Sequence, residues 1–430
     1  MGNGIRPILA VGLAALAAGG VLSALSQGPQ TPQAELVGFA VLPADTFAEG
    51  PPSGAYRATP GFRTLPAPFG AQPVQGFSAI QFGPRPGSYW VLSDNGFGSK
   101  ANSPDYLLRL YLVQPRPRTP QGGPGDVQVV RYLPLRDPNR FVPFPILNEN
   151  TPGRLLTGYD FDIESFVFAA DGTLWVGDEF GPFLLHFDAQ GVLLDPPFPT
   201  PDYGPGKDPA KDQVRAPQNP AFLLNPVGPG QPWPANLGTT RGFEGMTTNP
   251  ERTRIYAMLE GTVAGDPPGT LRLMEFDPIA KRWLGLLGRY PMDDPGHAIG
   301  ELAVVNEREL LVIERDNRQG DEARFKRIYK IDLTRKDANG LFAKELVADL
   351  LNIADPRGLA PSTRGGVFRF PYITIEAVLV LDPTTLLVTN DNNYPATGGR
   401  GPEVKDANEF IWIKLPTPLR LAPGVGQVGR

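Results

Sequence analysis

Four glutamates stand where a glutamate is costly. Glu164, Glu244, Glu301 and Glu376 each lie on a short apolar stretch of strand-like composition, such as Phe161-Asp162-Ile163-Glu164-Ser165-Phe166-Val167-Phe168 and Thr374-Ile375-Glu376-Ala377-Val378-Leu379. A carboxylate among apolar neighbours loses free energy unless it is paired or ligated. Within 13 to 16 residues a second apolar stretch follows each of them and closes on acids or amides: Asp178-Glu179, Glu260, Glu314 with Asp316, and Asn390-Asp391. A fifth copy, Gly76-Phe77-Ser78-Ala79 leading to Ser93-Asp94-Asn95-Gly96, has Ser78 in the glutamate position. Carboxylates that converge repel one another and raise each other's pKa. A hard divalent cation removes that repulsion, and carboxylate with amide or backbone oxygen is calcium-type ligation. The set expected to meet around Ca²⁺ is Glu164, Glu244, Glu301 and Glu376, with Asp178, Glu314 and Asp391 at one mouth and Arg241 and Arg315 as nearby cations. The residues leave a second reading open. Acids after a strand also sit in turns and bond their own backbone, and a structural set paired with Arg241 and Arg315 needs no metal.

Other chemistries find little support. The chain has no cysteine, which excludes disulfides, thiolate metal sites and a thiol nucleophile. Its two histidines, His186 and His297, belong to no zinc-binding spacing. Ser78 lacks the Gly-x-Ser-x-Gly elbow, leaving a triad built on His297 as a bare formal option. No glycine-rich loop opens a helix to cradle phosphate. A net charge of −5 without a basic run argues against a nucleic-acid surface.

The elements that must position these residues are hairpins. Asp171-Gly172 between two apolar runs is a tight-turn signal, and the same hairpin recurs with its two acidic positions. Third strands follow several copies, for instance Phe183–Asp188 and Arg327–Asp332. A repeated unit that cannot bury its own face must stack on its neighbours, and several strands per unit repeated radially make a β-propeller. The expected fold is therefore an all-β propeller over residues 36–415. Six blades are expected, from five clear copies and a sixth combining the strand Ala34–Leu42 with other terminal material; five and seven are the alternatives. Ala338–Leu351 has partial helical spacing and is expected to form the one short helix. Residues 115–157 carry nine prolines and residues 195–238 carry twelve, so both read as long loops over one face. Residues 416–430 read as a flexible C-terminal tail.

At the N-terminus, Arg6 is the sole charged side chain in residues 1–34, and Pro7–Leu25 is small and apolar. With Ala24-Leu25-Ser26 this reads as a signal peptide over 1–26, cleaved after Ser26, followed by a linker at 27–35. The expected location is secreted or periplasmic, without stable membrane insertion after cleavage; an uncleaved anchor is the alternative. The mature protein is expected to be a monomer.

Taken in order, the motifs resemble a bacterial phytase-like family described as having esterase-like activity of phytase. Gly76-Phe77-Ser78-Ala79 with Leu92-Ser93-Asp94-Asn95-Gly96 is similar to its opening motif, and Asp162-Ile163-Glu164 with Asp178-Glu179-Phe180-Gly181-Pro182 to its second, where a tyrosine is more usual than Phe180. Gly242-Phe243-Glu244-Gly245 with Glu260, then Glu314-Arg315, then Ile375-Glu376-Ala377 with Asn390-Asp391-Asn392 resemble the later ones. The resemblance covers most of residues 76–415. It implies a propeller, export, and a calcium-assisted hydrolase of phosphate or carboxylic esters. In that reading Glu164 and Glu244 help orient water and Arg315 or Arg241 stabilises developing charge. A non-catalytic, metal-stabilised binding propeller and a lactonase-like hydrolase are the alternatives.

Overall fold

The repeated hairpins do become strands, and each acquires two more. The computed structural model describes residues 1–2, 33–57, 68–224, 231 and 234–427. The signal peptide expected at 1–26, apart from residues 1–2, and most of the linker lie outside the described residues. Among the described residues the strands form five four-stranded antiparallel blades, each running from the channel outwards. Blade 1 is Phe77–Phe82, Tyr89–Ser93, Arg109–Arg116 and Asp126–Pro134. Blade 2 is Ile163–Phe168, Leu174–Asp178, Phe183–Phe187 and the short Phe198–Pro199. Blade 3 is Phe243–Thr248, Ile255–Leu259, Thr270–Asp277 and Arg282–Pro291. Blade 4 is Ala298–Val304, Glu309–Arg315, Lys326–Lys336 and Phe342–Asp349.

Blade 5 closes the ring. It is Ile375–Asp382, Thr385–Asn390 and Asn408–Lys414, completed by the N-terminal strand Glu35–Leu42, which pairs antiparallel with Asn408–Lys414. This corrects the six-blade expectation: the strand assigned to a sixth unit is the outermost strand of the fifth. The inner strands pack side by side in the order 1-2-3-4-5 and back to 1. The apolar core divides the same way, into five clusters with one between each pair of neighbouring blades. Inner strands are therefore buried on both faces, as Phe243–Thr248 and Ile255–Leu259 are throughout.

Two further expectations change. The segment expected to be helical is the outer strand of blade 4, Phe342–Asp349, paired with Lys326–Lys336. A bulge opposite Ile328/Tyr329 breaks its alternation, and a broken period of two mimics helical spacing over so short a run. The stretch 115–157 likewise contains the outer strand Asp126–Pro134, and its return is pinned by a buried Arg154–Asp137 ion pair at 3.0 Å. Among the described residues the helical content is Ala221–Leu224 and a 3-10 turn at Gly320–Glu322. No helix there is long and apolar enough to cross a membrane.

The C-terminal segment, expected to be flexible, lies against the fold through residue 427. Leu419, Ala422 and Val425 are buried, and the Leu419 and Ala422 amides donate to the carbonyls of Pro383 and Val305. Val425 and Gly426 line a cavity of about 80 Å³ at the ends of the inner strands, with Phe82, Phe168, Thr248 and Val380.

Candidate metal and active site

One local device, repeated five times, builds the site. Every inner strand carries a one-residue bulge close to its start: after the first hairpin pair in four blades, Phe77↔Ser93, Ile163↔Asp178, Phe243↔Leu259 and Ile375↔Asn390, and after the second in blade 4, Ile299↔Glu314. A bulge leaves one residue outside the ladder and re-aims its side chain. The residues following those five pairs are Ser78, Glu164, Glu244, Gly300 and Glu376. On the partner strands the residue beyond each pair is Asp94, Glu179, Glu260, Arg315 and Asp391. The second row lies entirely at one mouth of the ring, together with Glu164, Glu244 and Glu376 of the first.

The mouth is a cavity of about 250 Å³. Eight carboxylates line it, those of Asp94, Asp162, Glu164, Glu179, Glu244, Glu260, Glu376 and Asp391, against the two guanidiniums of Arg241 and Arg315. Arg315 is buried and reaches the acids of the blades on either side, Glu376 Oε1 at 3.0 Å and Glu260 Oε1 at 3.5 Å. It stands where blade 4 has no glutamate of its own, because Gly300 holds the bulge position. A Cβ there would lie 2.6 Å from the Ile375 carbonyl oxygen and 2.8 Å from Glu376 Cα, so the close passage of blade 5 demands glycine. Arg241 sits at the rim and pairs with Glu260 Oε2 at 2.5 Å.

Two guanidiniums leave the repulsion largely uncompensated. Burial, reinforced by Asp162, holds Asp94 well above the usual carboxylate range. Burial and then a neighbouring acid do the same to Glu164 (Asp162), Glu179 (Glu260) and Glu244 (Glu376). Burial pushes Asp162 up to about 7. Burial with Asp391 takes Glu376 to about 8, and burial with Asp94 takes Asp391 to about 8. For Arg315, burial works to lower the pKa, but Glu376 and Glu260 outweigh it and the net shift is upward.

The arrangement also has vacant valences. Asp162 Oδ1, Glu179 Oε1 and Glu244 Oε1 are buried without a hydrogen-bond partner. Oxygens of Asp162, Glu164 and Glu179 lie within 4.8 Å of one another, as do those of Glu179, Glu244 and Glu260. Glu179 is common to both trios. Buried polar atoms in native folds nearly always find partners, so unpartnered oxygens aimed at each other mark a place suited to a cation. The all-oxygen donor set is that of a hard ion such as Ca²⁺.

Of the residues singled out from sequence, the mouth brings together Glu164, Glu244, Glu376, Asp391, Arg241 and Arg315. The other three face elsewhere. Glu301 lies one residue past the bulge position, and its carboxylate accepts from the Val378 amide at 3.0 Å and the Ile80 amide at 3.3 Å across the ring. Asp178 accepts from the amides of Asp162 and Gly181. Glu314 accepts from Tyr290 Oη, the Asp293 amide and Lys344, and contacts His297 Nδ1 at 2.8 Å. The expected ligand set omits Asp162, Glu179 and Glu260, which the mouth includes. His186 stacks on Trp175 at 4.1 Å and pairs with Asp195, and neither histidine lines the mouth.

Against solved structures the chain is similar to regucalcin, a calcium-binding protein from Agrobacterium tumefaciens, at 11% identity over 82% of this chain and 93% of that one, with a TM-score of 0.34. It is also similar to an exo-β-1,3-galactanase from Clostridium thermocellum, at 10% identity over 86% of this chain and 67% of that one, with a TM-score of 0.39. Likenesses this distant carry no argument. A secreted protein of uncharacterised function from Arthroderma benhamiae is 28% identical over 105 residues, which span 24% of this chain and 20% of that protein. The family model described as phytase-like, esterase-like activity of phytase, matches residues 72–394, three-quarters of the sequence and all five inner hairpins, and the chain belongs to that family.

Proposed function

We propose that the channel mouth binds a hard divalent cation, Ca²⁺ first among them, and hydrolyses phosphate or carboxylic esters outside the cytoplasm. The observation that carries this reading is the pair of carboxylate trios sharing Glu179, with three buried oxygens that have no partner. Asp162, Glu164, Glu179, Glu244 and Glu260 would hold the ion. When bound, it supplies positive charge to an ester oxygen and lowers the pKa of water.

The chain's own groups divide the remaining work. Asp391, at the mouth with its carboxylate oriented by the Asn393 amide and Thr374 Oγ1, is placed to take a proton from the attacking water. The water oxygen bonds to phosphorus or the acyl carbon, the bond to the alcohol oxygen breaks, and the alcohol leaves with a proton returned from Asp391. Arg241, with its side chain 38% exposed at the rim, can donate to a substrate oxyanion. Arg315, held by two carboxylates, lowers the repulsion among the acids and keeps Glu376 in place. Export is supported by the apolar N-terminal stretch and by the stretch shared with a secreted protein.

A turnover screen on phytate, aryl phosphates, carboxylic esters and lactones, with calcium and with chelator, tests the reading. Turnover that stops on chelation and in Glu179→Gln supports it. Turnover that persists in both contradicts it, and calcium binding without any turnover leaves a binding propeller.

A further inference from the structure

A second cavity opens off the mouth. It measures about 150 Å³ and shares Asp94, Gly98 and Asn393 with the acidic site. Its other walls include Phe97, Tyr394, Pro395 and Arg57. Behind them stands a chain of rings: Tyr394 lies 5.5 Å from Phe69, Phe69 6.3 Å from Phe97, and Phe97 5.5 Å from Tyr106. Tyr394 is fixed further by its hydroxyl, which donates to Asp45 at 2.6 Å. Arg57 lies over the Phe69 ring at 4.3 Å, and its Nη1 is buried without a partner.

We infer that this pocket receives a flat aromatic group of the ester, which makes the substrate class aryl esters and excludes heavily phosphorylated ones. The inference rests on the hydrolase reading above and deepens it. A cavity of about 150 Å³, with Phe97, Tyr394 and Pro395 on its walls and Asp94, Asn102, Asn393 and Arg57 as polar lining, is of a size that takes a benzene ring. Rings fixed by neighbouring rings offer offset or edge-on contact without losing rotamer freedom on binding. The unpartnered Arg57 N–H provides one donor for an acceptor on the ring. Charge excludes the alternative. Eight carboxylates line the mouth, and both of its guanidiniums are already paired with acids. A substrate with many phosphates would bring several anions to a mouth that offers them the rim guanidinium of Arg241 and, in the side pocket, Arg57 beside the cation. In the reaction, water adds to phosphorus or the acyl carbon, the bond to the aryl oxygen breaks, and the aryl alcohol departs with a proton into the pocket.

The test compares 4-nitrophenyl and alkyl esters of the same acid, with phytate beside them, in calcium. Ala396 is exposed at the pocket, so Ala396→Trp fills the cavity without disturbing a core. The expected result is a KM for the aryl ester raised at least tenfold relative to the change for the alkyl ester, with Phe97→Leu intermediate. Calorimetry with 4-nitrophenol reads the pocket without turnover: the wild type should bind and Ala396→Trp should not. Equal effects on aryl and alkyl esters, unchanged 4-nitrophenol binding in Ala396→Trp, or a preference for phytate each overturns the inference and leaves the hydrolase reading standing. Absence of all turnover, with 4-nitrophenol binding abolished by Ala396→Trp, supports the pocket and removes the hydrolase reading.

Discussion

Removing the Arg315 guanidinium asks how much of the repulsion at the mouth it absorbs. Arg315→Met keeps the length and apolar stem and deletes the charge that lies 3.0 Å from Glu376 and 3.5 Å from Glu260. Breaking a buried pair by taking away one partner costs about 3–5 kcal/mol, because the other charge stays behind. Unfolding entropy near the melting temperature is about 2.1 cal/mol/K per residue, or roughly 0.8 kcal/mol per kelvin for a fold of about 400 residues. The melting temperature in chelator at pH 8 should therefore fall by about 4–6 °C. Two controls isolate the cause. At pH 5 Glu376, pushed up to about 8 by burial and Asp391, can take a proton, so most of the loss should disappear. Arg315→Met combined with Glu376→Gln should likewise recover most of it, as coupled neighbours do in a double-mutant cycle. A variant that melts with the wild type at pH 8, or one equally damaged at both pH values, refutes the electrostatic role.

The remaining outcomes follow from the same geometry. Asp162, Glu376 and Asp391 titrate at about 7, 8 and 8 in the fold, above their ordinary carboxylate values. A raised acid is neutral and harmless below the unfolded pKa, and its stabilising share is lost as pH climbs through the folded one. Metal-free protein should therefore lose melting temperature between about pH 4 and 8, and calcium should flatten that slope; a metal-free melt that rises across this window contradicts the shifts. Gly300→Ala places a Cβ 2.6 Å from a backbone oxygen, and overpacking of this kind costs about 1–3 kcal/mol in a denaturant titration; an unchanged midpoint would mean blade 5 can yield. Glu301→Leu strands the Ile80 and Val378 amides at about 1–3 kcal/mol, yet should leave calcium affinity within about twofold, since Glu301 does not line the mouth. A large fall in affinity would restore Glu301 to the ligand set.

Much of this molecule is legible in its sequence, and the misreadings have a common physical origin. The inner hairpins announce themselves because strands buried on both faces are apolar without interruption, so Glu164, Glu244 and Glu376 stand out against Ile163, Phe243 and Ile375. The outer strands do not. Arg282–Pro291 and Phe342–Asp349 are half exposed and bulged, which erases the alternation that marks a strand. Closure by Glu35–Leu42 is a long-range pairing with no local signature, and the same strand can as easily be counted into a sixth unit. The site errors are slips of one residue. Aligned on the apolar residue before the bulge, the four copies read Ile163-Glu164, Phe243-Glu244, Ile299-Gly300 and Ile375-Glu376, so Glu301 falls out of the row. On the partner strands the same slip exchanges Glu179 for Asp178 and Arg315 for Glu314. Since side chains alternate along a strand, one residue turns a mouth ligand into a backbone clamp.

The central claim is that the carboxylates of the mouth hold a cation through Glu179, and a calcium titration tests it most directly. Calorimetry on the chelator-treated chain should show saturable binding, and calcium at a hundredfold above Kd should add about 2.7 kcal/mol of stability by mass action. Glu179→Gln, which touches both trios at once, should lose the heat and the rise in melting temperature together, while Glu301→Leu keeps both. Calcium that neither binds nor shifts the melt of the wild type, or that binds Glu179→Gln as tightly as the wild type, contradicts the claim.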